Sequence, residues 1–290
     1  MIKRFLIFHF LFIAVFQHCF GADSLTFTER IKKFAYHEMG TELNGDLFTK
    51  TMETDKPYIY LYISKPDKIQ CPEGFGSFVY CNTDEDLAKR KSDTLCQLGY
   101  QTFCYKTYAN SAAMLNQRYY MYAKESESFI VFHELMHNYI AQLELKIPYE
   151  FNEALCDVMG NYGTMHFFEA NKELNLSAAK NQLDHNENIY WCLNKYIDKI
   201  NANPKKAVQL NQQCDRMIKT ILTECNLFQN DRFNFAVNNA YLLKNEYYCK
   251  NYFLLKKVLL KQKAIKDFLE IIKSAPASAL EYQKYLLKYT

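Results

Sequence analysis

The sequence predicts an α+β fold, with a small N-terminal sheet and its helices followed by a mainly α-helical half. Three observations lead to this. Residues Tyr58–Ser64 (Tyr-Ile-Tyr-Leu-Tyr-Ile-Ser) are rich in aromatic and β-branched residues and are bounded by Pro57 and Pro66, as a strand would be. A helical stretch from Asp84 to Leu98 stops at Gly99 and gives way to another strand-like run, Tyr100–Tyr108, in a β-α-β order. Beyond about Ser126 the apolar residues recur almost entirely at helical spacing.

The first element in chain order is an expected signal peptide over residues 1–22. Lys3 and Arg4 precede an apolar run from Phe5 to Phe16, broken only by His9, and the small residues Gly21 and Ala22 follow. That run is too short to cross a hydrocarbon core as a helix, which takes about 20 apolar residues. Export therefore implies a secreted or periplasmic protein with no stable membrane span. Next comes a helix from about Leu25 to Met39, where Phe27, Ile31, Phe34 and Ala35 recur at helical spacing before Gly40. The Tyr58–Ser64 strand follows, with a second expected at Phe78–Cys81. Helices are expected near 128–143, 150–169, 172–184, 187–202, 205–225, 231–262 and 264–288, interrupted at Pro148, Asn203-Pro204, Asn226–Asn230 and Pro276. No fixed-period repeat or low-complexity linker is visible, so residues 23–290 read as one unit, with an α/β lobe over 23–125 and a helical lobe over 126–290.

Charge excludes one class of partner. Without Lys3 and Arg4 the chain has 33 basic against 32 acidic residues, which gives no basis for binding nucleic acid. The Lys-rich stretch near 255–273 interleaves Leu254, Leu255, Val258, Leu259 and Ile265, as in ordinary amphipathic packing. Asn175-Leu176-Ser177 fits a glycosylation acceptor and decides nothing. Ten cysteines are present and the first, Cys19, falls in the signal segment. An oxidising destination would pair eight of the other nine. The expected pairs are Cys96–Cys104, Cys192–Cys214, Cys71–Cys81 and, by elimination, Cys225–Cys249, with Cys156 left reduced.

The chemistry-bearing motif is Phe-His-Glu-Leu-Met-His-Asn at 132–138. Four residues make about one helical turn, so His133 and His137 share a face, and Glu134 borders the same position. This is a zinc-binding pattern, and a catalytic zinc takes three protein ligands and keeps one position open. The metzincin continuation is missing, since Ile140 and Leu143 stand where glycine and histidine would be needed. Glu153, on the next helical segment within Asn152-Glu153-Ala154-Leu155-Cys156-Asp157, is the expected third ligand. One turn on, Asp157 is placed to accept the free N–H of a ligating histidine. His37, His166 and His185, the other histidines outside the signal segment, lack ligand spacing.

These two motifs together resemble those of the thermolysin-type gluzincins, in which the glutamate of N-E-x-x-x-D binds zinc and the aspartate supports a zinc histidine. With Leu61–Ser64, Pro66, the helix from Asp84, Gly99-Tyr100 and Asn238-Asn239-Ala240-Tyr241-Leu242, the chain from about Pro57 onward is similar to a family of bacterial zinc aminopeptidases assigned from sequence. Two departures stand out. Only fifteen residues separate His137 from Glu153, fewer than in thermolysin, and Cys156 follows the ligand closely enough to close the coordination shell. The resemblance implies a zinc peptidase acting on peptide substrates, with Glu134 as general base. Tyr241 is the expected donor to the carbonyl oxygen. The rival is a secreted protein with a structural zinc site and no turnover.

Overall fold

The computed structural model describes residues 25–40, 42–43, 51–52, 56–76, 78–107, 115–116, 123–224 and 236–290. The expected signal peptide and Cys225 lie outside them. Helix α1 (Phe27–Met39) opens on the Thr26 hydroxyl, which accepts from the Glu29 amide at 3.2 Å, and closes on Gly40 at φ 70°. The strands are β1 (Thr51–Met52), β2 (Tyr58–Ser64), β3 (Phe78–Tyr80), β4 (Gln101–Thr107) and β5 (Leu115–Asn116), with helix α2 (Glu85–Gln97) between β3 and β4. Among the described residues the back half supplies eight helices: α3 (Lys124–Gln142), α4 (Tyr149–Ala170), α5 (Leu176–Ala202), α6 (Ala207–Glu224), α7 (Asn239–Cys249), α8 (Tyr252–Leu260), α9 (Ile265–Lys273) and α10 (Ala279–Leu286). The α+β class is as the sequence predicts.

The main sheet has the order β3-β2-β4, with both outer strands antiparallel to β2. α2 carries the chain across β2, so the β-α-β order takes a split form. β1 and β5 make a separate parallel pair. Strand alternation then sorts the side chains. Ile59, Leu61 and Ile63 face α2 and pack with Ala88 and Leu95. Tyr58, Tyr60 and Tyr62 take the other face, where they meet Phe78, Tyr80 and Tyr105 at ring separations of 5.1 to 6.5 Å.

That tyrosine face is joined to the helices by α7. Asn238 donates to the Thr102 carbonyl at 2.9 Å, and Asn239 donates through its side chain to the carbonyls of Lys65 and Pro66 at 3.1 and 3.0 Å. The paired asparagines thus fasten the start of α7 to the end of β2 and the start of β4. α1 buries Ile31 and Ala35 in the helical core with Val131, Phe132 and Leu135. Two expected boundaries differ. α5 runs unbroken through residues 184–187, and the stretch expected as one helix to residue 262 breaks at Asn251, whose side chain donates to the Glu150 carbonyl at 2.6 Å.

Helices α3 and α4 pack closely because of two glycines. A Cβ on Gly163 would stand 2.5 Å from the Phe132 ring, and one on Gly160 would stand 2.8 Å from the Phe129 ring. Phe132 is buried and has no room to withdraw. Alanine gains about 1 kcal/mol of helix propensity over glycine, yet overpacking costs about 1–3 kcal/mol and often more for a contact this short. We expect Gly163→Ala to lower unfolding stability by about 1–2 kcal/mol. Chemical denaturation that found it neutral or stabilising would show that the helix pair is not set by this contact.

Of the three expected cysteine pairs that fall within the described residues, only Cys192–Cys214 is brought together. No disulfide joins the eight that are described. Cys192 and Cys214 do face each other in the buried core between α5 and α6, within hydrogen-bonding reach. Cys71 instead donates to the carbonyls of Phe75 and Gly76, while Cys81 turns toward Val79. Cys96 contacts Thr102 at 3.5 Å. The Cys225–Cys249 pairing lies outside the described residues.

Candidate metal centre

The site is built on the α3–α4 pair. On α3, Val131, Phe132, Leu135, Met136 and Tyr139 are buried in the core, which leaves His133, Glu134 and His137 on the side toward the sheet and α4. The turn after α3 places Glu144 in the left-handed region at φ 49°, and Pro148 opens α4. The tight reversal brings Glu153 and Asp157 opposite the two histidines.

Three donor atoms converge. His133 Nε2 and His137 Nε2 are 3.1 Å apart, and Glu153 Oε2 lies 3.5 Å from the first and 3.6 Å from the second. A tetrahedral zinc about 2.0–2.1 Å from each donor has ligand-to-ligand edges of about 3.3 Å. The triangle is therefore the size zinc requires, give or take a few tenths of an ångström. Behind it, His133 Nδ1 is 2.8 Å from Asp157 Oδ1, so an Nδ1–H donated to the carboxylate leaves the Nε2 lone pair free to face the triangle. The Tyr190 hydroxyl, from α5, donates to the other Asp157 oxygen.

Cys156 also approaches, its sulfur within 4.8 Å of both histidine donor atoms. Glu153 is the better third ligand because its oxygen already stands at edge distance from both nitrogens. Burial, followed by the charges of Glu153, Glu134 and Asp157, raises the Cys156 pKa well above the ordinary thiol value.

The charges fit a cation site. Burial alone would raise the Glu153 pKa, but hydrogen bonds to His133 and His137 and their positive charge hold it far below the usual carboxylate range. Burial likewise works to lower His133, yet hydrogen bonds to Asp157 and Glu153 with their charges lift it well above the ordinary imidazole value. Without metal, a proton on His133 occupies the role that a cation would fill.

Glu134 is partly exposed, and its charge reaches Tyr60 and Tyr105 on the sheet, so the carboxylate lies on the side of α3 toward the tyrosine face. Burial, with smaller contributions from Glu134, Glu153 and Asp157, pushes the Tyr105 phenol up to about 12, so it stays a neutral donor. Tyr241 is elsewhere. It is buried against Phe103, at 5.0 Å between rings, in the core that holds Cys192 and Cys214. The tyrosine of α7 that does reach the cluster is Tyr248, whose ring lies 6.3 Å from that of His133 and nearly parallel to it, at 18°. Seven residues, about 10 Å of helix rise, separate the two tyrosines. Lys244, between them, sets its Nζ 4.2 Å from the Tyr105 ring centroid and 4.1 Å from that of Tyr248. Burial lowers its pKa to about 8, against the pull of Asp157, Glu153 and Cys249. No protein-family model, curated protein or solved structure matches this chain.

Proposed function

We propose that the chain is an exported zinc-dependent peptidase whose metal is held by His133, His137 and Glu153. The observation that carries this reading is the donor triangle of 3.1, 3.5 and 3.6 Å, with Asp157 fixing one imidazole from behind. Bound there, zinc supplies a Lewis acid and acidifies a water molecule. Glu134 accepts a proton from the attacking water and returns it to the leaving amine. The tyrosine face lies opposite, with neutral phenols available to a peptide carbonyl. An aminopeptidase activity is what the sequence resemblance suggests; the peptidase chemistry rests on the site itself.

The rival structural reading draws on Cys156, whose thiol would complete a closed shell. One experiment separates the two. We expect the purified chain to hold one zinc and to cleave members of a peptide library, and Cys156→Ser to keep both properties. A protein that takes up no zinc in metal-replete buffer sinks the proposal, and zinc loss in Cys156→Ser with no cleavage by wild type hands the site to the structural reading.

A further inference from the structure

We infer that the Lys244 ammonium recognises a carboxylate on the substrate, supplied by a free C-terminus or by an acidic side chain, beside the metal-binding cluster. The inference rests on the peptidase reading above and adds its substrate class.

The ammonium is held in place. Two rings from different elements, Tyr105 on β4 and Tyr248 on α7, flank it at 4.2 and 4.1 Å, distances at which cation–π attraction is effective. Among the described residues no carboxylate stands within ion-pairing distance of Lys244, and its polar contact is the neutral Asn245 Oδ1 at 3.4 Å. Two other partly buried lysines are paired, Lys256 with Glu187 at 2.5 Å and Lys219 with Asp215 at 2.7 Å, while Lys195, like Lys244, lies over aromatic rings, those of Trp191 and Tyr196. A desolvated charge without a counter-charge is costly, and an arriving carboxylate would offset that cost through charge-assisted hydrogen bonds.

Position ties this cation to the cluster. The Tyr248 ring that flanks the ammonium also stacks on His133, so one side chain touches both. Of the acids nearby, Glu153 is engaged with the imidazoles and Asp157 with His133 and Tyr190, while Glu134, whose charge also reaches Tyr105, is kept in this reading for the attacking water. A substrate α-amine brought to this place would meet a like charge. The site is therefore arranged to take a carboxylate on the substrate.

The test uses one phosphinic tripeptide in three forms: a neutral C-terminal amide, the same peptide with a free C-terminus, and the amide form carrying a glutamate side chain. Zinc content is measured first, and binding is then followed by calorimetry on zinc-loaded wild type, Lys244→Met and Lys244→Arg. One acidic form should bind wild type about ten- to a hundredfold tighter than the neutral amide, and which of them does so identifies the source of the carboxylate. Lys244→Met should bring that ratio close to one, and Lys244→Arg should retain part of it. Equal binding of all three forms to wild type overturns the inference whatever the variants do, as does an unchanged ratio in Lys244→Met. A wild type that takes up no zinc sinks the peptidase reading, and this inference with it.

Discussion

Glu134→Gln is expected to lower kcat by about 10²–10⁴-fold while leaving zinc content at the wild-type level. The amide has the shape of the carboxylate but cannot accept a proton from water. Glu134 is not one of the three donors, since the triangle is made by its neighbours His133 and His137 with Glu153. Its carboxylate belongs to the side of α3 toward the sheet, where it acts on Tyr60 and Tyr105. Turnover by the variant at a rate near that of wild type would remove Glu134 as the base, and loss of zinc would show that it holds the metal instead. Both are read from one preparation, by metal analysis and by cleavage of the same substrate.

Glu153→Ala should have an effect of similar size on affinity. Removing an outer partner such as Asp157 typically weakens metal binding about 10–100-fold, and removing a direct donor costs at least the upper end of that range. We therefore expect zinc affinity to fall by more than about 100-fold in Glu153→Ala, and by about 10–100-fold in Asp157→Asn. Acidification should act in the same direction, because protons compete with zinc for the two imidazoles. Equilibrium dialysis against a chelator of known affinity measures all three effects. If Glu153→Ala held zinc as tightly as wild type, Cys156 would take over the third position.

Much of this architecture was legible in the sequence because local rules decided it. β2 and α2 fall within a residue of the expected limits, since proline, Asp84 and Gly99 punctuate them and no tertiary contact competes. His133, His137, Glu153 and Asp157 were legible for the same reason, as fixed offsets on two helices become fixed directions once the helices pair. Three features depend on distant contacts and were not. The Asn251 break follows from a hydrogen bond to a carbonyl a hundred residues away. The glycines at 160 and 163 have a visible purpose only when Phe129 and Phe132 lie across them. The sequence points to Tyr241 because it adjoins the asparagine pair. That pair fastens the helix to the sheet, and the helix meets the cluster two turns later, at Lys244 and Tyr248.

The donors also differ in how far the chain must travel to bring them together. His133, His137, Glu153 and Asp157 all lie on one helical hairpin, so gathering them requires closing only a short loop. Lys244 lies about ninety residues beyond the hairpin's acids, and the Tyr105 ring that flanks it comes from the opposite direction in the chain. Closure entropy grows slowly with length, by about 0.6 kcal/mol for each doubling, but it is incurred anew for each distant segment that must dock. The histidine–carboxylate group is thus a low-contact-order feature whose surroundings are assembled from far-separated strands and helices. Its ordering costs the chain little entropy beyond what the α3–α4 pair has already lost in folding.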